Sequence, residues 1–264
     1  MIRKILSTPL EQIVYPRLPA RLLVKCPRNS ENMCSTDSDG RSLRDGSDRI
    51  WSLEFGSAYK DIWRDPLFRT ANARSIGRSV VTIRRKMNLY LLIRFYLPSL
   101  SGRNIIELGT WKGGNLLFMA TVLKEIDPTA KVYGLDTFCG MPETDKDVDL
   151  HRLGDFDDVS MDSIREAVAA AGLDNIVLVK GDVRQTLPET CKRASFGLAH
   201  IDLDIYDPIR FEQFELMKQM VPGGYVVYDD ALVSSCAGAT IAVEELIRSG
   251  KSAEQIYPHF VFRT

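Results

Sequence analysis

The stretch Asn104-Ile-Ile-Glu-Leu-Gly-Thr-Trp-Lys-Gly-Gly114, followed at once by NLLFMATVLKEI (115–126), decides the fold. A short apolar run ends in a glycine-bearing turn, and the apolar residues then recur at helical spacing. The same texture continues downstream. KVYGLD (131–136) is a second strand, SMDSIREAVAAAG (160–172) a helix, NIVLVKGD (175–182) a third strand and FGLAHIDLD (196–204) a fourth. PIRFEQFELMKQM (208–220) is a helix, GGYVVYDD (223–230) a fifth strand, and IAVEELIRSG (241–250) a helix that Gly250 ends in a left-handed turn. HFVFRT (259–264) supplies a last edge strand. Strands that alternate with amphipathic helices predict an α/β fold, a parallel sheet with helices on both faces.

Upstream the pattern differs. Residues 49–103 read as a mainly helical N-terminal cap, through IWSLEFGSAYKDIW (50–63) and SVVTIRRKMNLYLLIRFYL (79–97), which stops before Pro98. Residues 28–48 are rich in Ser, Asp, Asn and Gly and read as a flexible linker, and 1–27 form a basic segment. The domain proper is expected over 104–264. Net charge is −1, but residues 1–103 carry 19 basic and 9 acidic groups, a net of +10, against −11 for 104–264. A balanced total gives no reason to expect nucleic acid as a partner. No apolar run approaches the roughly 20 residues that span a bilayer, so no integral membrane segment is expected. The five cysteines show no CxxC pair or zinc spacing, which suits a reducing, cytoplasmic setting.

Chemistry gathers at the strand ends. Glu107, Gly109, Thr110 and Trp111 occupy the first turn, where a helix N-terminus offers free backbone N–H groups. The spacing is not G-x-G-x-x-G. Asp136 ends the second strand, 29 residues after Glu107, where a carboxylate can accept from both ribose hydroxyls, and Asp182 ends the third. Alternation puts His200, Asp202 and Asp204 on one side of the fourth strand, beside Asp229 and Asp230 of the fifth. Packed carboxylates repel unless they share a proton, pair with bases or hold a hard cation, and an oxygen-only set favours magnesium. His200 reads as a hydrogen-bonded core histidine. Residues 137–158 are too long for an ordinary connection and read as a lid.

Taken together, SVVTIRRKMNL (79–89), IELGTWKGG (106–114), LDTFCGMP (135–142), VSMDSIRE (159–166), KGDVRQTLP (180–188), IDLDIYDP (201–208) and VPGGYVVYDD (221–230) resemble the macrocin O-methyltransferase family. The resemblance covers roughly 77–264. It implies a Rossmann-like class I methyltransferase sheet, S-adenosyl-L-methionine and Mg2+ as cofactors, and methyl transfer to a hydroxyl of a sugar-bearing small molecule. By the same resemblance Glu107, Gly109, Thr110, Trp111, Asn115, Asp136, Thr137, Asp182 and Asp202 would hold the donor. Asp202, Asp229 and Asp230 would bind Mg2+, Asp202 would be the catalytic base, and the cap would join a homo-oligomer. The family's D-G-D is Asp202-Leu203-Asp204 here, and residues 231–240 match its corresponding loop poorly. Catechol-type enzymes carry a base lysine three residues after the first metal aspartate; that position is Ile205. A nicotinamide-dependent oxidoreductase and a non-catalytic donor-binding module are the other readings.

Overall fold

The computed structural model describes residues 41–42, 54–55, 61–233, 235–250, 254–256 and 259–264. The chain divides into two units, Met1–Asp65 and Pro66–Thr264. The basic segment 1–27 lies outside the described residues, as does the linker 28–48 apart from 41–42. In the first unit Arg41–Ser42 pairs antiparallel with Glu54–Phe55. The second pair lies inside a stretch read as helical. Gly56 weakens that helix, and a short mixed run cannot be assigned by periodicity alone.

The second unit holds a seven-stranded sheet. Its strands are β1 (Ile105–Leu108), β2 (Val132–Asp136), β3 (Ile176–Lys180), β4 (Phe196–Ile201), β5 (Met220–Tyr228), β6 (Glu254–Ile256) and β7 (His259–Arg263). The order is β3-β2-β1-β4-β5-β7-β6. β1 to β5 are parallel and β7 is antiparallel to both neighbours. The final strand is therefore not the edge. β6, which no sequence signal marked, covers it. Chain order reverses at β1, between β2 and β4, so a crevice opens beyond the carboxyl end of β1.

The helices are α1 (Pro66–Ser75), α2 (Ile83–Leu91), α3 (Gly114–Ile126), α4 (Met161–Ala170), α5 (Val183–Cys191), α6 (Tyr206–Glu215) and α7 (Ala237–Arg248). α5 went unread because Pro188 sits inside it. Thr82 caps α2 by accepting from Arg85 N, and Ser160 caps α4 by accepting from Ser163 N. The 79–97 segment is shorter as an α-helix than its pattern predicts. It begins after Thr82, then loosens into a π-turn (Leu92–Tyr96) and a 3-10 turn (Leu97–Ser99) around Pro98. Gly250 takes φ +88° after α7, as the left-handed stop requires. α1 and α3 meet through Phe68, whose ring packs edge-on against Phe118 at 5.7 Å and Tyr90 at 5.4 Å. β1 and β4 are buried along their whole length, as strands covered on both faces must be.

One core carboxyl gives a pH prediction. Glu212, on α6, is fully buried beside the Tyr228 hydroxyl, and burial pushes its pKa up to about 8 from 4.5. The folded chain thus keeps a proton that the unfolded chain has lost. Stability should fall as pH rises from about 4.5 through about 8, by on the order of 3–5 kcal/mol. Glu212→Gln should flatten that slope in urea unfolding series. Parallel curves for both proteins would show that Glu212 is not held neutral in the core.

Candidate active site

A cavity open to solvent lies beyond the carboxyl ends of β1 to β5. Glu107, Gly109, Thr110, Trp111, Asn115, Asp136, Thr137, Asp182, Asp202, Asp229 and Asp230 all line it. The fold thus brings all eleven of these residues, read from the sequence as site candidates, to one cavity.

The turn after β1 is built around Asp136. Its Oδ2 accepts from the N–H groups of Thr110 and Trp111, both at 2.8 Å, and its Oδ1 from Phe138 N at 2.6 Å. This carboxylate fixes the loop as well as facing the cavity. Gly109, at φ +83°, lies so close to the chain after β4 that a Cβ would sit 1.8 Å from the Asp202 carbonyl oxygen. Trp111 takes a positive φ of 44°, and its Nε1 donates to Asp158 at 2.8 Å. Its ring packs edge-on against Phe156 at 5.8 Å. Lys112 pairs with the same Asp158. The end of the 137–158 segment is thereby tied to the glycine turn, and Gly140, Met141, Pro142 and Phe156 bring that segment into the cavity wall. Asp182 caps α5 by accepting from Arg184 N at 2.9 Å, and the Arg184 side chain grips the same carboxylate, holding it below the usual range.

Glu107 is buried at the cavity floor. Oε1 accepts from Asn115 at 2.7 Å and faces His200 Nδ1 at 3.3 Å, while Oε2 has no hydrogen-bond partner. His200 is wholly buried, as expected for a core histidine, yet its Nε2 also lies 3.2 Å from Asp229 Oδ1. Burial alone would lower its pKa; hydrogen bonds to Asp229 and Glu107 overcome this and push it up to about 9. The buried His200 ring thus bridges Glu107 at the cavity floor to Asp229, which follows β5.

Asp202, Asp229 and Asp230 converge. One oxygen from each lies within 4.8 Å of the others. The alternation argument for Asp202 and Asp204 holds only in part, because β4 stops at Ile201. Asp202 extends the ladder by one bond, N to Leu108 O at 2.9 Å, and Asp204 then turns at φ +61°. Burial and the neighbouring Asp229 and Asp230 push Asp202 well above the usual carboxylate range, and burial with Asp230 does the same to Asp204. Asp229 goes the other way. Burial would raise it, but His200 and His259, whose Nε2 lies 2.9 Å from the same Oδ1, hold it low.

Sequence reasoning missed two partners. His259 enters from β7 and is oriented by Asn88 of α2, 2.9 Å from its Nδ1; a lone histidine near the end of the chain gave no signal. Arg85 of α2 pairs with Asp229, and with Asp230 at 3.3 Å. The double arginine in SVVTIRRKMNL was the available sign. These two bases do not account for every acid oxygen, since Asp230 Oδ2 is buried with no partner.

The sequence profile of the macrocin O-methyltransferase (TylF) family matches residues 71–253. The chain belongs to that family. It is an O-methyltransferase, with a class I methyltransferase fold, and an enzyme of this fold draws its methyl group from S-adenosyl-L-methionine. This macrocin O-methyltransferase relative is 28% identical over 185 residues to the 8-demethyl-8-(2,3-dimethoxy-alpha-L-rhamnosyl)-tetracenomycin-C 4'-O-methyltransferase of Streptomyces olivaceus, covering 66% of the chain and 70% of that protein. It is 23% identical over 177 residues to mycinamicin III 3''-O-methyltransferase of Micromonospora griseorubida, covering 62% and 69%. Among solved structures, the O-methyltransferase NovP superposes with a TM-score of 0.62 at 21% identity, covering 77% of this chain and 93% of its own. Among the described residues no helix is long and apolar enough to cross a membrane.

Proposed function

We propose that this family member methylates a hydroxyl of a sugar-bearing small molecule and that Asp202, Asp229 and Asp230 hold Mg2+ for the reaction. One observation carries the proposal. The carboxylates of half-buried Asp202 and buried Asp229 and Asp230 meet within 4.8 Å, and Asp230 Oδ2 is buried with no hydrogen-bond partner. Oxygen donors of this kind fit a hard divalent ion. When bound, Mg2+ supplies Lewis acidity that eases loss of the acceptor's hydroxyl proton. Asp202 is the residue placed to take that proton. It stands between the Glu107 and His200 side of the cavity and the Asp229 and Asp230 side, one of its oxygens being within 4.8 Å of each pair.

Glu107, Gly109, Thr110, Trp111, Asn115, Asp136, Thr137 and Asp182 form the donor side. The Asp136 carboxylate and the loop that it orders would meet the ribose hydroxyls, and Asp182 at the third strand end would meet the base. Phe156 and Met141 from the 137–158 segment exclude water above them. A sugar acceptor is favoured because the tetracenomycin relative is named for a rhamnosyl-bearing substrate. Ile205, where catechol-type enzymes have lysine, supports the same choice. The exposed Phe95 and Tyr96 beyond α2 offer apolar surface for a homo-oligomer. The buried free thiols Cys191 and Cys236 suit a reducing cytoplasm.

The test is methyl transfer from labelled donor to a panel of deoxysugar glycosides, with and without chelator. Turnover that chelator abolishes and Mg2+ restores is expected; full turnover in excess chelator would refute the metal role. Asp136→Ala should weaken adenosylhomocysteine binding at least about tenfold in calorimetry, by loss of a charged acceptor and loosening of the loop. Unchanged donor affinity would contradict the assignment.

A further inference from the structure

Beside the carboxylate triad, and sharing its cavity through Asp204, a second set of donors converges to which the proposed reaction assigns no role. His151 lies on the 137–158 segment, Asp204 follows β4, and Cys236 precedes α7. His151 Nε2 lies 3.7 Å from Cys236 Sγ, and that sulfur lies 3.4 Å from Asp204 Oδ1. One donor atom from each of the three lies within 4.8 Å of the others. Tetrahedral zinc, with N, O and S ligands at about 2.0–2.3 Å, sets its ligands roughly 3.3–3.8 Å apart. Both measured contacts fall in that range.

The surroundings are those of a built site. Asp155 Oδ2 lies 3.4 Å from His151 Nδ1, which leaves Nε2 facing the sulfur. A carboxylate behind a ligating imidazole is the usual outer-shell partner that orients it and raises its basicity. Ser235 Oγ lies 3.6 Å from the sulfur. The donors are chemically unlike the triad: one nitrogen, one oxygen and one sulfur, a set that selects a softer ion than Mg2+.

We propose that His151, Asp204 and Cys236 form a second cation site, for a thiophilic divalent ion such as Zn2+, that staples the 137–158 segment over the cavity. On binding, the Cys236 thiol releases its proton to solvent, and the thiolate and the Asp204 carboxylate balance the ion's charge. The fourth position is left to water. The site borders the triad through Asp204, which faces Asp230, but shares none of its three residues, so it can fail without the methyl-transfer reading.

Chelator-treated full-length protein, held in excess Mg2+, should be titrated with Co2+. A thiolate-to-cobalt charge-transfer band is expected to saturate at one equivalent. Cys236→Ser should abolish the band, and His151→Asn should weaken cobalt binding at least about tenfold. Saturating Zn2+ should also slow proteolytic cleavage within 137–158 in the parent chain and not in His151→Asn. Absence of the band, or a band that His151→Asn leaves unchanged, would overturn the site. Should Cys236→Ser fail to fold, the His151→Asn titration and the proteolysis rates decide alone.

Discussion

Asp202→Asn should reduce kcat/KM by roughly a thousandfold or more while leaving the melting temperature unchanged or raised. The two halves of that expectation come from one geometry. Asp202 supplies both a ligand and the proton acceptor in the proposed site, and an amide of the same shape supplies neither. Yet Asp202 is half-buried beside Asp229 and Asp230, and desolvation together with their like charges drives its proton affinity up. Removing one of three mutually repelling carboxylates relieves the fold. Asp229→Asn should behave differently. Asp229 pairs with Arg85, His200 and His259, so its loss takes a carboxylate from three bases at once and should lower the melting temperature along with activity. Steady-state kinetics and calorimetric melting of the two variants separate these roles. Equal destabilisation by both would show that Asp202 is a structural ion-pair residue.

Gly109→Ala should destabilise the chain by about 2–4 kcal/mol and abolish measurable donor binding. The added Cβ would lie 1.8 Å from the Asp202 carbonyl oxygen, and the neighbour it strikes is backbone, which cannot rotate away. The φ of +83° adds strain for any residue with a side chain. Movement there must displace either the turn after β1 or the chain after β4. These carry Thr110 and Trp111 on one side and Asp202 on the other. Denaturant melts and adenosylhomocysteine calorimetry report the two effects. A variant with parental stability would mean that the turn and the Asp202 strand end do not touch.

Much of this architecture was legible because local signals agreed with one another. Each of the five parallel strands is a short apolar run followed by glycine or acid, and the pairs that fix the crevice follow from their order. α5 was hidden by Pro188, a residue that ordinarily argues against a helix interior. β6 lies in a polar stretch whose only cue is its pairing with β7. The candidate site was legible at Glu107, Asp136, Asp182, Asp202, Asp229 and Asp230, because carboxylates at successive strand ends are more than composition predicts. What those carboxylates do could not be read. Asp136 spends its oxygens on backbone amides, and Asp182 is gripped by Arg184 only two residues away. His259 and Arg85 reach the triad from 174 residues apart in the chain, and no spacing rule connects them to it. The same holds for His151, Asp204 and Cys236, which only the fold brings together.

The most direct measurement is anomalous diffraction from crystals grown with Mn2+, a stand-in for Mg2+, and adenosylhomocysteine. The account predicts a single strong manganese peak among Asp202, Asp229 and Asp230, within about 2.5 Å of an oxygen from each, with the Arg85 guanidinium drawn back from Asp229. A donor-bound crystal with no peak there, and with Arg85 still paired to both β5 acids, would contradict it.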